Sequence, residues 1–184
     1  ISIGTFNKWI LSIAIYHATD LGNASTSKTI SGLAYHNTYS YYHVRYNVKC
    51  YVKETMDNAM VSANYIDPIA AGATLVYSGN LNITPQWNPV KFDNVYTVSS
   101  GKNLLVWWID SSSVNTCSQN SGTIYWDRYT PSYNGIAYNG NHFSGCNGGS
   151  ENTTSLNCPV TKFYFGSPIM DSNSVAMYSI VNPT

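Results

Sequence analysis

Val44-Arg45-Tyr46-Asn47-Val48-Lys49-Cys50-Tyr51-Val52-Lys53 alternates side chains of two kinds with a period of two. An extended chain turns successive side chains to opposite faces, so this stretch reads as a half-buried β-strand. One phase carries Val44, Tyr46, Val48, Cys50 and Val52 and is assigned to the core. The other carries Arg45, Asn47, Lys49, Tyr51 and Lys53 and is assigned to solvent. Similar patterning marks strands at 10–16, 29–36, 73–77, 87–92, 104–109, 123–128, 162–165 and 175–181. Leu104-Leu105-Val106-Trp107-Trp108-Ile109 is apolar on both phases. It is predicted to be a central strand covered on each side, or to expose one Trp to a ligand or partner. Gly- and Asn-rich turn signals follow at Ser78-Gly79-Asn80, Ser99-Ser100-Gly101, Asn134-Gly135, Asn139-Gly140 and Asn147-Gly148-Gly149. Many short strands at this spacing point to an all-β, antiparallel β-sandwich of jelly-roll type.

Composition agrees. Tyr (16) and Asn (21) are abundant, while charged residues make up only 10% of the 184 and sum to zero net charge. The β-branched and aromatic residues suit pleated surfaces, and Asn, Gly and Ser suit turns. Such a balance lacks the basic footprint that nucleic acid or an anionic membrane surface requires. The basic positions 45, 49 and 53 read as a solvated sheet face. No apolar run is long enough to span a bilayer as a helix. The apolar stretch 9–16 alternates like a strand and lacks a basic leader, so it is expected to belong to the mature chain. The whole of 1–184 is expected to form one domain, with no internal repeat or linker.

Cys50, Cys117, Cys146 and Cys158 form no CxxC pair and have no His at ligand spacing, which argues against zinc. An even count in a Tyr-, Asn- and Ser-rich chain suits an oxidising compartment. Cys146 with Cys158 is the favoured disulfide, because these two flank a Gly/Asn/Ser-rich loop, and Cys50 with Cys117 is the remainder. Other connectivities and buried thiols stay open. Residues 111–160 hold three of the cysteines, show little periodicity beyond 123–128, and are expected to be long disulfide-pinned loops.

A series of short motifs runs in order through 13–110. Ile15-Tyr16 with Leu21-Gly22, Thr29-Ile30 with Ala34, and Asn47-Val48-Lys49-Cys50-Tyr51-Val52 to Thr55 come first. Val76-Tyr77-Ser78-Gly79, Trp87-Asn88-Pro89-Val90-Lys91-Phe92 and Asn103-Leu104-Leu105-Val106 before Asp110 follow. This series resembles a β-sandwich module of secreted and cell-surface proteins of the Bacteroidetes, often found beside adhesin or sorting domains. The resemblance implies an extracellular, jelly-roll-like domain with an adhesive or carbohydrate-associated role. It supplies no catalytic residues.

Nine carboxylates are scattered without an evident facing pair, and His17, His36, His43 and His142 fall in no hydrolase or metalloprotease motif. Asp110 and Asp127 could offer oxygens to calcium, but no calcium-loop pattern surrounds them. The chain is therefore expected not to be an enzyme and to need no cofactor or metal. Its best candidate site is the aromatic and polar stretch of Trp126, Asp127, Tyr129, Tyr133, Tyr138 and Asn139. Aromatic faces stack on the C–H face of a sugar while amides and carboxylates reach its hydroxyls. Asn23, Asn82 and Asn152 open N-x-S/T sequons and are possible glycosylation sites. The leading expectation is a secreted, cell-surface structural or adhesive subunit that self-associates into a filament or layer through strand edges and Tyr-rich faces. The alternative is a carbohydrate-binding module.

Overall fold

A computed structural model of the chain describes residues 10–38, 42–60, 67–110, 128–129, 136–141, 150–155, 158–166 and 177–180. In chain order the elements are β1 (Ile10–Tyr16), a one-turn α1 (Ala18–Leu21), β2 (Lys28–Asn37), β3 (His43–Thr55), β4 (Thr74–Ile83) and β5 (Gln86–Val98). They continue with β6 (Asn103–Asp110), β7 (Arg128–Tyr129), β8 (Ile136–Asn141), β9 (Ser150–Ser155), β10 (Cys158–Pro159), β11 (Thr161–Phe165) and β12 (Met177–Ile180). One sheet runs β4-β3-β6-β1-β8-β9, a second runs β12-β11-β2-β5, and β10 pairs with β7 in a short ribbon. Neighbouring strands are antiparallel throughout. The protein is all-β and sandwich-like, as its alternating segments require.

The core lies between the two large sheets. Tyr16, Val48, Cys50, Val52, Val76, Leu104, Val106 and Trp108 of the first meet Leu33, Tyr35, Val90, Phe92 and Phe163 of the second. The Tyr16 and Phe163 rings meet edge to face with centroids 5.0 Å apart, the geometry that ring quadrupoles favour. The first sheet is also covered on its outer face. Ile13, Ile15, Tyr51 and Trp107 pack there with Met60, and with Ala71 and Ala73 beside them. This explains the double-phase apolar run. β6 is paired on both sides and covered on both faces, with Trp107 only 1% and Trp108 only 4% exposed. Tyr51 points away from the inter-sheet core, as its phase demands, yet is buried in this second cluster instead of solvated.

The first half of β3 corrects the expected phase. Val44 (48%) and Tyr46 (43%) are exposed, whereas Arg45 is buried. The cause is Asn47, whose φ of 55° is left-handed and coincides with a register shift against β4 between Arg45 and Val48. The strand gains a residue there, and a one-residue slip exchanges its two faces. Asn tolerates this conformation better than most residues, and its backbone N–H donates to Asn80 Oδ1 at 3.1 Å.

Two further corrections concern loops. Ser78-Gly79-Asn80 is not a turn but the interior of β4. The Tyr77 ring folds back over Gly79, where an added Cβ would lie 2.9 Å from the Tyr77 hydroxyl oxygen. That hydroxyl donates to the Asn80 carbonyl at 2.8 Å. The reversal comes after Ile83, at Thr84-Pro85, and Gln86 enters β5 with φ 75°. In the span expected to be loop, β8 and β9 add two strands to the first sheet through β1.

No disulfide is formed among the described residues. Cys50 is a free thiol at the centre of the inter-sheet core, and Cys158 is buried in the same cluster. Burial pushes the Cys50 pKa well above its ordinary value, which keeps the group neutral and unreactive. Core cysteines of this kind pack as small apolar side chains. Cys117 and Cys146 lie outside the described residues, so the expected pinning of the loops by disulfide finds no support here.

Candidate functional site

β4 and β5 are consecutive strands joined by a tight turn, yet they belong to different sheets and form an edge of each. The two strands part from their common turn and leave a cleft of about 280 Å³ on the open side of the sandwich. Its floor is aromatic. Tyr35 from β2 and Trp108 from β6 lie beneath it, and Tyr77 from β4 stands at its side. Trp108 Nε1 donates to the Tyr35 hydroxyl at 2.9 Å, which fixes both rings. Tyr77 is tilted by 58° to Trp108 with centroids 6.3 Å apart. Leu81, Ile83 and Val90 complete the apolar part, and Asn80, Asn82, Asn88 and Lys91 supply the polar part.

Both ends of the cleft are held by hydrogen bonds. At the turn, Asn88 Oδ1 accepts from the Thr84 backbone N–H at 2.7 Å, and Asn88 Nδ2 donates to the Thr84 carbonyl at 2.9 Å. Nδ2 also reaches the Gln86 carbonyl at 2.9 Å. At the far end, Asp93 Oδ2 on β5 accepts the Ser78 backbone N–H on β4 at 2.9 Å. This contact follows from a bulge: Lys91 pairs with Gly32 and Tyr96 with Ile30, so β5 residues 92–95 stand against Ser31 alone. Gly32 permits the approach, since a Cβ there would meet the Val90 carbonyl oxygen at 2.6 Å. The bulged strand carries Asp93 across the gap.

The electrostatics of the floor are those of a dry aromatic site. Burial, and then the neighbouring Cys50, raises the Tyr35 pKa, so the hydroxyl stays protonated throughout the physiological range. Burial, and then the Asp93 carboxylate, raises that of Tyr77. Tyr35 and Trp108 are each only 4% exposed, so half-buried Tyr77 is the ring with a face on which an apolar sugar face can stack. The Asn82 side chain makes no hydrogen bond with another described residue and is exposed at the edge of the cleft.

Of the sequence-selected site residues, Tyr129, Tyr138 and Asn139 are among the described residues. Tyr129 is in β7 of the short ribbon, whereas Tyr138 and Asn139 are successive positions of β8 in the first sheet. Tyr138 pairs with Ser12 and Thr153, and Asn139 with Leu11 and Asn152. Trp126, Asp127 and Tyr133 lie outside the described residues. Among the sequons, Asn23 is 0% exposed and its Nδ2 donates to the carbonyls of Ser99 and Lys102, both at 3.0 Å. In the folded chain that nitrogen is committed to holding the β5–β6 turn and has no room for a glycan. Asn152 is a position in β9. Asn82 is exposed at the mouth of the cleft, where a glycan would compete with a bound ligand.

The cleft was missed because its parts come from four strands. The one local signal was the Val76-Tyr77 and Trp87–Phe92 motif pair, which marks its two walls. Among the described residues no three His, Cys, Asp or Glu side chains gather as a metal would require, and no helix is long and apolar enough to cross a membrane. Comparison of the chain with protein-family models, curated proteins and solved structures gives no match.

Proposed function

We propose that the chain is a non-catalytic glycan-binding module that holds a sugar residue in the cleft between β4 and β5. The observation that carries this reading is a cleft with half-buried Tyr77 beside buried Tyr35 and Trp108, asparagines in its lining and a hydrogen-bonded contact at each end. A sugar has an apolar C–H face and a rim of hydroxyls, and this arrangement complements both. The size supports a small ligand, since about 280 Å³ stands at the lower end of the range for ligand pockets. From the Asp93 bridge at Ser78 to Asn82 the wall is only about 13 Å long, at about 3.3 Å per residue. A typical β-strand is longer, about 17–20 Å. Among the described residues the lining contains no carboxylate, whereas glycoside hydrolysis uses a facing pair.

The resemblance to cell-surface modules supports an extracellular, adhesive setting and jelly-roll connectivity as parts of the same proposal. Assembly into filaments through strand edges is a second reading with less to favour it. The β5 edge carries Pro89 and Lys91 and is bulged, and β4 is bulged against β3, devices that discourage edge-to-edge pairing. The edges at β9 and β12 remain for it.

A glycan array probed with wild-type protein and with Tyr77→Ala and Asn82→Ala tests the site. Wild type is expected to retain one group of glycans, Tyr77→Ala to weaken them at least about tenfold through loss of stacking, and Asn82→Ala to weaken them less. Binding unchanged in both variants, with melting temperatures preserved, would place the glycan elsewhere.

A further inference from the structure

We infer that the sugar taken by this cleft carries a carboxylate, and that Lys91 selects it. The inference rests on the glycan-binding reading and deepens it. Of the described residues lining the cleft, Lys91 alone is ionic, and it is a cation. Its position follows from strand alternation. Val90 and Phe92 are buried toward the core, so Lys91 and Asp93 occupy the opposite phase of β5. Asp93 on that phase reaches across to Ser78 of β4. Lys91 and Asn80 both line the cleft.

Two of the other described lysines are engaged. Lys162 Nζ sits 3.6 Å above the Trp87 ring centre, and Lys53 Nζ donates to the Ala71 carbonyl at 2.6 Å. Lys91 makes no hydrogen bond or ion pair with another described residue. Asp93 stands at the far end of the cleft with an oxygen engaged by the Ser78 N–H. A ligand carboxylate on the Lys91 side therefore meets an uncommitted ammonium and the Asn80 and Asn82 region, with the repelling charge beyond them. A hexuronic acid presents that carboxylate on the ring carbon where the matching hexose bears a hydroxymethyl group. A lysine on an edge strand also discourages strand pairing, a role indifferent to ligand charge.

Calorimetric titration with matched probes separates these roles: glucose against glucuronic acid, galactose against galacturonic acid, and mannose against mannuronic acid. Wild type is expected to bind the acid of at least one pair about threefold to fivefold more tightly, the worth of a partly exposed ion pair. Added salt should narrow that margin. Lys91→Met should equalise the pair at an unchanged melting temperature. Equal binding of acid and hexose by wild type, or an acid preference that survives Lys91→Met, would overturn the selection by Lys91 and leave the cleft reading intact. Failure of Tyr77→Ala to weaken any of these sugars would instead overturn the cleft reading on which it rests.

Discussion

Val48→Asp is expected to lower the unfolding free energy by about 3 kcal/mol or more, whereas Val44→Asp in the same strand should change it by less than about 0.5 kcal/mol. The two valines share a phase in the sequence and would be equivalent in an unbroken strand. Val48 is 1% exposed and packs in the inter-sheet core, where an unpaired carboxylate has no partner and no water. Val44 lies before the left-handed Asn47 and faces outward opposite Asn82. Urea unfolding of the two variants measures the difference directly. Equal losses would mean that β3 keeps one phase throughout and that Asn47 introduces no slip.

Trp108→Ala carries the second large effect, an expected loss of about 3–5 kcal/mol from removal of a buried indole. Trp108 is 4% exposed and packs on Tyr35, with ring centroids 6.0 Å apart, and near Tyr77. Its Nε1 is also a hydrogen-bond donor to the Tyr35 hydroxyl, so truncation takes a partner from a buried polar atom. Trp108→Phe should lose less, because the ring is retained and only the donor and part of the volume go. The midpoint of denaturation should fall at a constant slope in both variants. A loss below about 1 kcal/mol in Trp108→Ala would remove the indole from the core. Because the same ring floors the cleft, sugar binding should fail in Trp108→Ala under conditions where the protein is still folded.

What was legible in the sequence follows the range of the interactions involved. β6 was legible as a strand, and of the two placements its double-phase apolar run allowed, a covered central position or an exposed Trp, the structure has the first. β1, β2, β5 and β11 were readable from alternation and residue type, with ends displaced by a few positions. Asn47 was a visible polar residue in a polar phase, and nothing local distinguished it from an ordinary outward Asn. Its conformation is tied to Asn80, 33 positions away. Ser78-Gly79-Asn80 has the composition of a turn and runs as a strand because Tyr77 and Asp93 satisfy or cover its backbone. The cysteines invited pairing by spacing, but Cys50 stands on a core-facing phase where a thiol is simply a small apolar group.

The candidate site was the least legible part. Interleaved aromatic and polar residues at 126–139 drew attention because they are neighbours in sequence. The cleft instead gathers Tyr35, Tyr77, Asn82, Lys91 and Trp108 from four strands, and only pairing across two sheets brings them together. Asn23 shows the converse. Its sequon is a local pattern, while its burial depends on a turn more than 70 residues downstream.

The most direct measurement is a backbone-amide NMR titration of the wild-type chain with the hexoses and hexuronic acids named above. A saccharide in the cleft should shift the amides of Tyr77, Asn80, Asn82, Val90 and Lys91 together with the Trp108 indole N–H, and leave Tyr129, Tyr138 and Asn139 in place. Shifts confined to the 126–139 stretch, or none with any of these sugars, would contradict a sugar site between β4 and β5.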